Sequence, residues 1–309
     1  MDGPVNEPPQ QPGQAGASPS RTCWWHPQRA TGLRCARCER FACPDCLREA
    51  SVGYHCVDCV AAARKEQQAQ RARYRKSEFG YRTIAGARMP RYPTVTYALI
   101  AINVAVFAVT AAQAQDVMRN FESRVMELGV LWPPIVAAGE WWRLITSGFL
   151  HFGLMHLAVN MLALWILGRE LERLLGPTRY LALYGLALLG GSAAVFAFSD
   201  LGTQTAGASG AVYGVLGGIL IAVLRLRLNL TPILGIIAIN LVISFGVPQI
   251  SWLGHLGGLV MGALVCLAMV YSPERHRTRW QAGAVVLLLV ALLGVFAVRF
   301  AQLDTFVLY

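Results

Sequence analysis

Seven long apolar runs restrict the fold of this 309-residue chain more than any other feature. Each run approaches the ~20 residues that a helix needs to cross ~30 Å of hydrocarbon. Hydrophobic residues make up 55% of the chain and charged residues only 14%, which is too apolar for an ordinary soluble protein. The sequence therefore predicts an all-α polytopic membrane protein with spans at 95–113, 149–168, 179–198, 207–224, 230–247, 252–271 and 281–301.

Positive charge sets the predicted orientation of these spans. Residues 64–91 hold nine Lys or Arg against two Glu, and basic flanks stay in the cytoplasm. The next predicted inner loop is also basic, with Arg169 and Arg173, whereas the predicted outer loop 199–206 contains no Lys or Arg. The N-terminus is therefore predicted to be cytoplasmic and the C-terminus extracytoplasmic. Because topology already explains the net charge of +10, no nucleic-acid partner is expected.

The segments outside the spans carry further predictions. Residues 1–20 are polar, rich in Pro, Gln and Gly, and lack the apolar stretch of a signal peptide, so they are predicted to form a disordered tail. Residues 61–92 are predicted to form a basic linker helix, which either lies on anionic lipid or is a solvated linker. Short loops and high Ala, Arg and Gly usage favour a bacterial plasma membrane.

Seven of the eight cysteines fall within residues 21–60, mostly in pairs two residues apart. Such pairs suit tetrahedral Zn²⁺, because one tight turn presents both sulfurs to one ion. The predicted ligand sets interleave along the chain as Cys23, His26, Cys43 and Cys46 at one site, and Cys35, Cys38, Cys56 and Cys59 at the other. His55 is an alternative to Cys56. The sequence therefore predicts two structural zinc ions.

The cysteine-rich segment resembles a B-box-type zinc finger. So short a segment cannot bury much core, so the metal is expected to provide most of its stability. Eight ligands close both sites and leave no open position, which argues against a catalytic zinc. Two roles stay open for this domain, an inert folded cap and a docking site for a protein partner.

Four polar residues interrupt three of the apolar runs: His156 and Asn160 in the second, Ser209 in the fourth and His255 in the sixth. An ionisable residue within a membrane is costly, so each histidine is a functional-site hypothesis. In the predicted topology the three spans run in the same direction. His156, Ser209 and His255 then lie ~20–26 Å from the inner ends of their helices at ~1.5 Å per residue. The shared depth predicts one cavity that is open to water on the outer side.

Glycine stripes predict that the fourth and sixth spans pack closely, because small residues four apart let two membrane helices approach each other. The stripes are Gly210, Gly214 and Gly218 on one span, and Gly254, Gly258 and Gly262 on the other. Such packing would bring Ser209 and His255 within hydrogen-bond distance. Tyr213, one turn after Ser209, is either a buttress for the imidazole or an ordinary core aromatic.

The paired serine and histidine suit hydrolysis. A serine hydroxyl is a weak nucleophile until a base takes its proton, and a neutral histidine can be that base. The second, fourth and sixth spans contain no Asp or Glu, so the sequence predicts a Ser209–His255 dyad and no triad. His156, Asn160 and the first-turn N–H of Ser209 are the candidate donors to the oxyanion of the tetrahedral intermediate. No catalytic cofactor is expected.

These residues resemble the rhomboid family of intramembrane serine proteases. The matching pieces, in order, are Glu140-Trp-Trp-Arg143, the run from His151 through His156 to Asn160, Gly207-Ala-Ser209-Gly210 with Tyr213, and Gly254-His255-x-x-Gly258-x-x-x-Gly262. The resemblance implies a bundle of six transmembrane helices in residues 93–272. It also implies Ser209 as nucleophile, His255 as general base, and His156 with Asn160 around the oxyanion. Supporting roles fall to Trp142, Arg143, His151, Gly207, Tyr213 and Gly258.

The family resemblance also implies the substrate, a single-pass protein whose transmembrane helix is cut near its outward-facing end. A helix must unwind locally to reach the serine, which favours small or helix-breaking residues at the cleavage point. Two features depart from the six-helix pattern, namely an additional C-terminal helix within 273–309 and the zinc-binding segment. Neither includes the motif residues.

Three other functions compete with proteolysis. A catalytically silent rhomboid-like protein that binds membrane clients would keep the fold and lose Ser or His, and both are present here. A transporter would show repeat symmetry and charges near the midplane of its spans, which this sequence lacks. A zinc-module membrane adaptor would lose its function on deletion of residues 1–60, whereas a protease would continue to cleave.

Overall fold

The computed structural model describes residues 21–76, 82–247 and 250–307. The chain divides into two compact units, Met1–Phe79 and Gly80–Tyr309. The predicted disordered tail at residues 1–20 lies outside the described residues.

The N-terminal unit is built on a two-stranded antiparallel hairpin of β1 (Leu47–Glu49) and β2 (Tyr54–Cys56). Gly53 turns the chain between them with a φ of +68°, a conformation that glycine adopts most readily. Helix α1 (Val57–Lys76) follows directly. The interior consists mostly of cysteine side chains, with few large apolar residues. Such an interior suits a domain that depends on metal for its stability.

Helix α1 covers only the first part of the predicted linker helix. In residues 82–92 the chain is not helical, because Arg82 and Arg88 pair as an antiparallel bridge. Gly86 forms the turn with a φ of +80°, and Pro90 disfavours helical backbone before it. The helix prediction for residues 82–92 is therefore wrong.

Each of the seven predicted apolar runs forms a helix within the described part of the second unit. The first two runs form α2 (Thr94–Ala114) and a continuous helix, Gly153–Leu175, that consists of α6 (Gly153–Ala163), a π-helical segment and α7 (Arg169–Leu175). The other five form α8 (Pro177–Phe198), α9 (Ser209–Arg225), α10 (Thr231–Gly246), α11 (Trp252–Val270) and α12 (Arg277–Val307). Three short helices, described below as α3 to α5, lie between α2 and α6. Five of the seven are long and apolar enough to cross a membrane, and α9 and α10 are shorter. With 17 residues, α9 spans ~26 Å, in agreement with the short fourth span predicted from the sequence.

The second span differs from its predicted boundaries at both ends. The helix begins at Gly153, not at residue 149, because Ser147–Phe149 form a separate 3₁₀ turn. It then continues through a π-helical segment to Leu175. Arg169 and Arg173 therefore lie in the helix and not in the predicted inner loop.

Glu172 explains why this helix extends so far. Its carboxylate is fully buried and accepts hydrogen bonds from the N–H groups of Val95 and Thr96 at 3.0 and 2.8 Å. The Thr96 hydroxyl donates to the same carboxylate at 2.8 Å. These N–H groups belong to the first turn of α2, where no intrahelical acceptor exists. Glu172 thus caps α2 and joins the first two membrane helices.

Helix α8 lies near the centre of the bundle, with Tyr180, Tyr184 and Phe196 fully buried. The rings of Phe296 and Phe300 on α12 pack against Phe196 at centroid distances of 6.2 and 5.1 Å. The additional C-terminal helix, longer at both ends than predicted, therefore packs on the core of this unit.

The outer segment between α2 and α6 contains α3 (Arg124–Gly129), α4 (Pro133–Ala137) and α5 (Arg143–Thr146). The buried amide of Asn120 fixes its junction with α6. This amide donates to the carbonyl of His151 at 2.8 Å and accepts from the N–H of Gly153 at 2.8 Å. The outer segment is thereby anchored to the start of the helix that carries His156 and Asn160.

Candidate functional sites

Helices α9 and α11 meet backbone to backbone. A Cβ on Gly258 would lie 1.9 Å from the carbonyl oxygen of Gly210, and a Cβ on Gly262 would lie 2.1 Å from that of Gly214. No side chain fits at such distances, so only glycine permits this approach. Gly210 and Gly214 of the predicted stripe on α9 therefore meet Gly258 and Gly262 on α11. The prediction is wrong for Gly218, which faces Leu171 and Leu183, and Gly217 lies against the backbone of α11 in its place.

Ser209 is the first residue of α9, where N–H groups lack an acceptor within the helix. The chain enters the helix through Gly207, whose φ of +138° favours glycine. A Cβ on Gly207 would lie 2.9 Å from His156 Nε2 and 3.5 Å from Ser209 Oγ. The bare backbone of Gly207 thus lies beside both side chains, and the structure brings Ser209 and His156 together.

His255 lies in the first turn of α11 and is buried. Its ring stacks on Tyr213, and its Nδ1 lies 2.7 Å from the hydroxyl of Ser244 on α10. The predicted hydrogen bond between Ser209 and His255 is not found among the hydrogen bonds of the described residues. Catalytic hydrogen bonds are often long without substrate and tighten in the complex. Here the contacts with Tyr213 and Ser244 hold the imidazole.

Three polar residues lie on the second membrane helix or just before it: His156 and Asn160 on the helix, and His151 two residues before its start. His156 accepts the N–H of Phe152 at Nδ1 at 3.3 Å, so its neutral ring carries the proton on Nε2. Asn160 is buried and donates one N–H to the carbonyl of His156 at 2.9 Å, which braces the turn that carries His156. His151 accepts the N–H of Ala208 at Nε2 at 3.4 Å, and this structural bond fixes the residue before Ser209.

Comparison with known proteins identifies the family. Residues 138–272 match the model of the rhomboid domain. YdcA of Bacillus subtilis is 36% identical over 146 residues, which cover 46% of this chain and 73% of YdcA. The chain belongs to the rhomboid family. Rhomboid protease GluP of B. subtilis is 37% identical over 236 residues, 73% of this chain but only 46% of GluP. Rhomboid protease AarA of Providencia stuartii is 28% identical over 216 residues, 59% of this chain and 75% of AarA.

Membership of the rhomboid family, together with the apolar helices, makes the chain an integral membrane protein. The rhomboid domain, as matched, includes all four motif pieces and ends before α12.

Trp142 and Arg143 of the rhomboid domain organise the outer segment. Arg143 is buried, pairs with Glu140 at 2.6 Å, and donates to the carbonyls of Glu127 and Val130 at 2.8 and 2.9 Å. The indole N–H of Trp142 donates to the carbonyl of Leu128 at 3.1 Å. These contacts hold α3 against α5, so the supporting role of both residues is to shape this segment.

A small cavity of about 30 Å³ adjoins Ser209 between α8, α9 and α11. Its polar lining comes from Ser147, Ser192, Thr205 and Ser251 together with Ser209. The buried hydroxyl of Thr205 has no hydrogen-bond partner among the described residues. A cavity of this size and polarity has room for water. The cavity therefore has room for a water molecule beside Ser209.

Sequence reasoning missed Ser244. The only signal for it was a hydroxyl in a largely apolar fifth span that also contains Asn240, and serine is common in membrane helices. Its position opposite His255 depends on how α10 packs against α11, which hydropathy does not reveal.

The N-terminal unit contains two clusters with the predicted membership, Cys23, His26, Cys43 and Cys46 in one, and Cys35, Cys38, Cys56 and Cys59 in the other. In the first, the sulfurs lie 3.4–3.7 Å from His26 Nδ1, and in the second the sulfurs of Cys38 and Cys56 are 3.7 Å apart. Tetrahedral zinc with ~2.3 Å Zn–S and ~2.0 Å Zn–N bonds places ligand atoms ~3.5–3.8 Å apart. The donor sets therefore fit zinc.

His55 is not a member of either cluster. It precedes Cys56 on β2, and neighbouring residues of a strand point to opposite faces. The proposed substitution of His55 for Cys56 is therefore wrong.

The pKa values of the clustered thiols also indicate that a bound cation would stabilise each cluster. Burial, with the neighbouring Cys43 and Cys23, raises the pKa of Cys46 to about 12. Burial opposes ionisation of Cys23 too, but the backbone N–H groups of Cys43 and Trp25 outweigh it and lower the pKa to about 6. The thiols of one cluster therefore resist becoming thiolates together. A divalent cation removes this conflict, because it stabilises every coordinated thiolate.

Proposed function

We propose that this rhomboid-family protein is an intramembrane serine endopeptidase that cleaves the transmembrane helices of single-pass membrane proteins. Relatives GluP and AarA bear the name rhomboid protease. The strongest support is that the side chains of Ser209 and His156 both lie beside Gly207, at the N-terminus of a helix whose backbone contacts the helix of His255. A nucleophile, an imidazole donor and an imidazole base are thus gathered in one apolar bundle.

In the proposed reaction, Ser209 Oγ attacks the carbonyl carbon of the scissile peptide, and its proton passes to Nε2 of His255. The carbonyl electron pair moves to oxygen. His156 Nε2–H and the N–H of Ser209 donate to this oxyanion, and the N-terminal dipole of α9 adds to its stabilisation. When the C–N bond breaks, the His255 imidazolium returns its proton to the leaving amine. Asn160 supports His156 through the backbone of their shared turn, and its second amide N–H is a further proposed donor to the oxyanion.

Water completes the reaction. A water molecule attacks the acyl-enzyme, His255 takes its proton, and Ser209 Oγ leaves and is reprotonated. The cavity beside Ser209 is large enough to hold such water.

The substrate must unwind before it reacts, because a helical peptide bond is shielded by its own hydrogen bonds. We therefore expect small or helix-breaking residues at the cleavage point. Two substrate spans that differ only in carrying a Gly pair or a Leu pair at the cleavage point test this expectation. Equal cleavage of the two spans would contradict it.

The proposed setting is a bacterial plasma membrane, with a cytoplasmic N-terminus and an extracytoplasmic C-terminus. The basic residues beyond helix α1 and the lysine- and arginine-free loop before α9 support this orientation. The two Cys/His clusters hold structural Zn²⁺ in this proposal, and no step of proteolysis uses the metal. The zinc domain is then either a folded cap or a docking site for a cytoplasmic protein.

The deciding experiment reconstitutes the full chain in liposomes with a tagged single-span protein and follows fragment formation. The wild-type chain is expected to cleave, whereas Ser209→Ala and His255→Ala are expected to bind the span without cleaving it. Deletion of residues 1–60 is expected to leave cleavage intact. Full-rate cleavage by Ser209→Ala would refute the proposal, and span binding by a wild-type chain that never cleaves would identify a client-binding protein.

A further inference from the structure

We infer that Ser244 fixes the tautomer of His255 and is a positioning residue for the proposed base, an inference that rests on the proposed proteolytic function. Ser244 is 2% exposed, on a helix whose other buried residues are the apolar Ile233 and Ile237. Its hydroxyl contacts three polar atoms, the carbonyl oxygen of Asn240 at 2.7 Å, the hydroxyl of Tyr213 at 3.0 Å and Nδ1 of His255 at 2.7 Å.

Counting protons assigns each of these hydrogen bonds. A serine hydroxyl has one proton and two lone pairs. The carbonyl of Asn240 can only accept, so the single proton of Ser244 is donated there. The two remaining neighbours must then donate to the oxygen of Ser244. Tyr213 does so with its hydroxyl, and His255 does so with an N–H at Nδ1.

This assignment determines which nitrogen of His255 is basic. A neutral imidazole carries one proton, so an N–H at Nδ1 leaves the lone pair on Nε2. Only that tautomer can take the proton of Ser209 through Nε2. In a Ser-His-Asp triad a carboxylate performs this orientation, and the helices that carry His156, Ser209 and His255 (α6, α9 and α11) contain no Asp or Glu. Ser244 performs it from a fourth helix.

The charge state of His255 during the reaction favours the same contact. When Nε2 takes the proton, the imidazolium keeps its N–H at Nδ1 and donates to Ser244 more strongly, because a charged donor strengthens a hydrogen bond. A neutral hydroxyl stabilises the imidazolium less than a carboxylate does. Ser244→Ala is therefore expected to lower kcat by about 10- to 100-fold, less than the ~10⁴-fold loss on changing a triad aspartate to asparagine.

The competing explanation is that Ser244 merely bonds back to the carbonyl one turn earlier, as serine often does in membrane helices. That structural role would leave the tautomer of His255 unchanged. The two explanations therefore differ in a property of the imidazole that can be measured without any substrate.

The test uses the full chain labelled with nitrogen-15 at histidine, with His255 assigned by comparison with His255→Ala. Ser244→Ala removes the acceptor, Ser244→Thr keeps the hydroxyl, and Ser244→Cys replaces it by a weak acceptor of similar size. Asn240→Ala is the matched control, because it deletes a polar side chain one turn away and keeps the backbone carbonyl that Ser244 uses. Thermal unfolding of each variant reports folding.

We expect the wild type, Ser244→Thr and Asn240→Ala to show the Nδ1–H tautomer, and Ser244→Ala and Ser244→Cys to lose it. In the cleavage assay the last two should lose kcat at nearly constant KM. A folded Ser244→Ala or Ser244→Cys chain that keeps the Nδ1–H tautomer overturns the inference. An Asn240→Ala chain that loses the tautomer equally also overturns it. If the wild type does not cleave, the proposed function fails, while the tautomer measurement still decides the role of Ser244.

Discussion

The phenol ring of Tyr213 lies parallel to the imidazole of His255, with centroids 3.9 Å apart and planes inclined by 12°. The two side chains come from facing helices, and Tyr213 is one turn after Ser209 on α9. The stack therefore ties the orientation of the proposed base to the helix of the proposed nucleophile. An imidazolium over an aromatic face is also favoured electrostatically.

Two substitutions at Tyr213 separate its ring from its hydroxyl. Tyr213→Phe keeps the stack, whereas Tyr213→Ala removes it. We expect Tyr213→Phe to retain most of kcat and Tyr213→Ala to lose about 3- to 30-fold, the size of a cation–π contact. Steady-state cleavage kinetics in liposomes measure both. An equal loss in the two variants would assign the effect to the hydroxyl and not to the ring.

His156 is predicted to act on the transition state and not on substrate binding. Its Nε2–H is the proposed donor to the oxyanion, and loss of one such donor costs about 10²- to 10³-fold in kcat. His156→Ala should therefore lower kcat by this factor at nearly constant KM. Phe152→Leu is the control, because it removes the ring stacked on His156 but keeps the N–H bonded to Nδ1. A raised KM with normal kcat would contradict this role.

Gly258 is predicted to be the least replaceable residue of the α9–α11 interface. Gly258→Ala places a methyl group against the backbone of Gly210, so the helices must separate, at a cost of about 1–3 kcal/mol. Gly235→Ala on α10 is the matched control, since nothing lies within 4 Å of its Cβ position. The unfolding temperature should fall for Gly258→Ala and should stay the same or rise for Gly235→Ala. Equal unfolding temperatures would argue against close packing.

The sequence predicted features that depend on residue type and spacing. Glycines four apart indicated the α9–α11 contact, and cysteine pairs indicated which ligands share a cluster. It did not predict features that depend on bonds between distant segments. Hydropathy placed the start of the second span at residue 149, whereas Asn120, some 30 residues earlier, fixes the start at Gly153. Ser244 could not be predicted for the same reason, because its hydrogen-bond partners Tyr213 and His255 lie on two other helices.

Glu172 is the most instructive of these long-range contacts. Hydropathy assigned its neighbourhood to a polar inner loop, yet its carboxylate is buried and caps the first turn of α2. Glu172→Gln replaces one acceptor oxygen by an N–H₂ group that faces backbone donors. We expect a loss of about 1–3 kcal/mol in unfolding free energy. Glu170→Gln, which affects only an exposed pair with Arg173, should change stability little. Similar losses in both would mean that capping is unimportant.

Bound zinc is predicted to stabilise the N-terminal unit and to take no part in the proposed cleavage. We expect two zinc ions per chain by elemental analysis of the purified protein. Cys56→Ser should lose one of them, and His55→Ala should keep both, because only Cys56 belongs to a cluster.

A strong chelator should unfold the N-terminal unit, since bound metal stabilises a domain with so little apolar core. The same chelator should leave the cleavage rate unchanged, because the proposed chemistry uses only Ser209, His255 and their neighbours. Loss of cleavage on chelation in the chain that lacks residues 1–60 would show that a metal acts in the membrane domain itself.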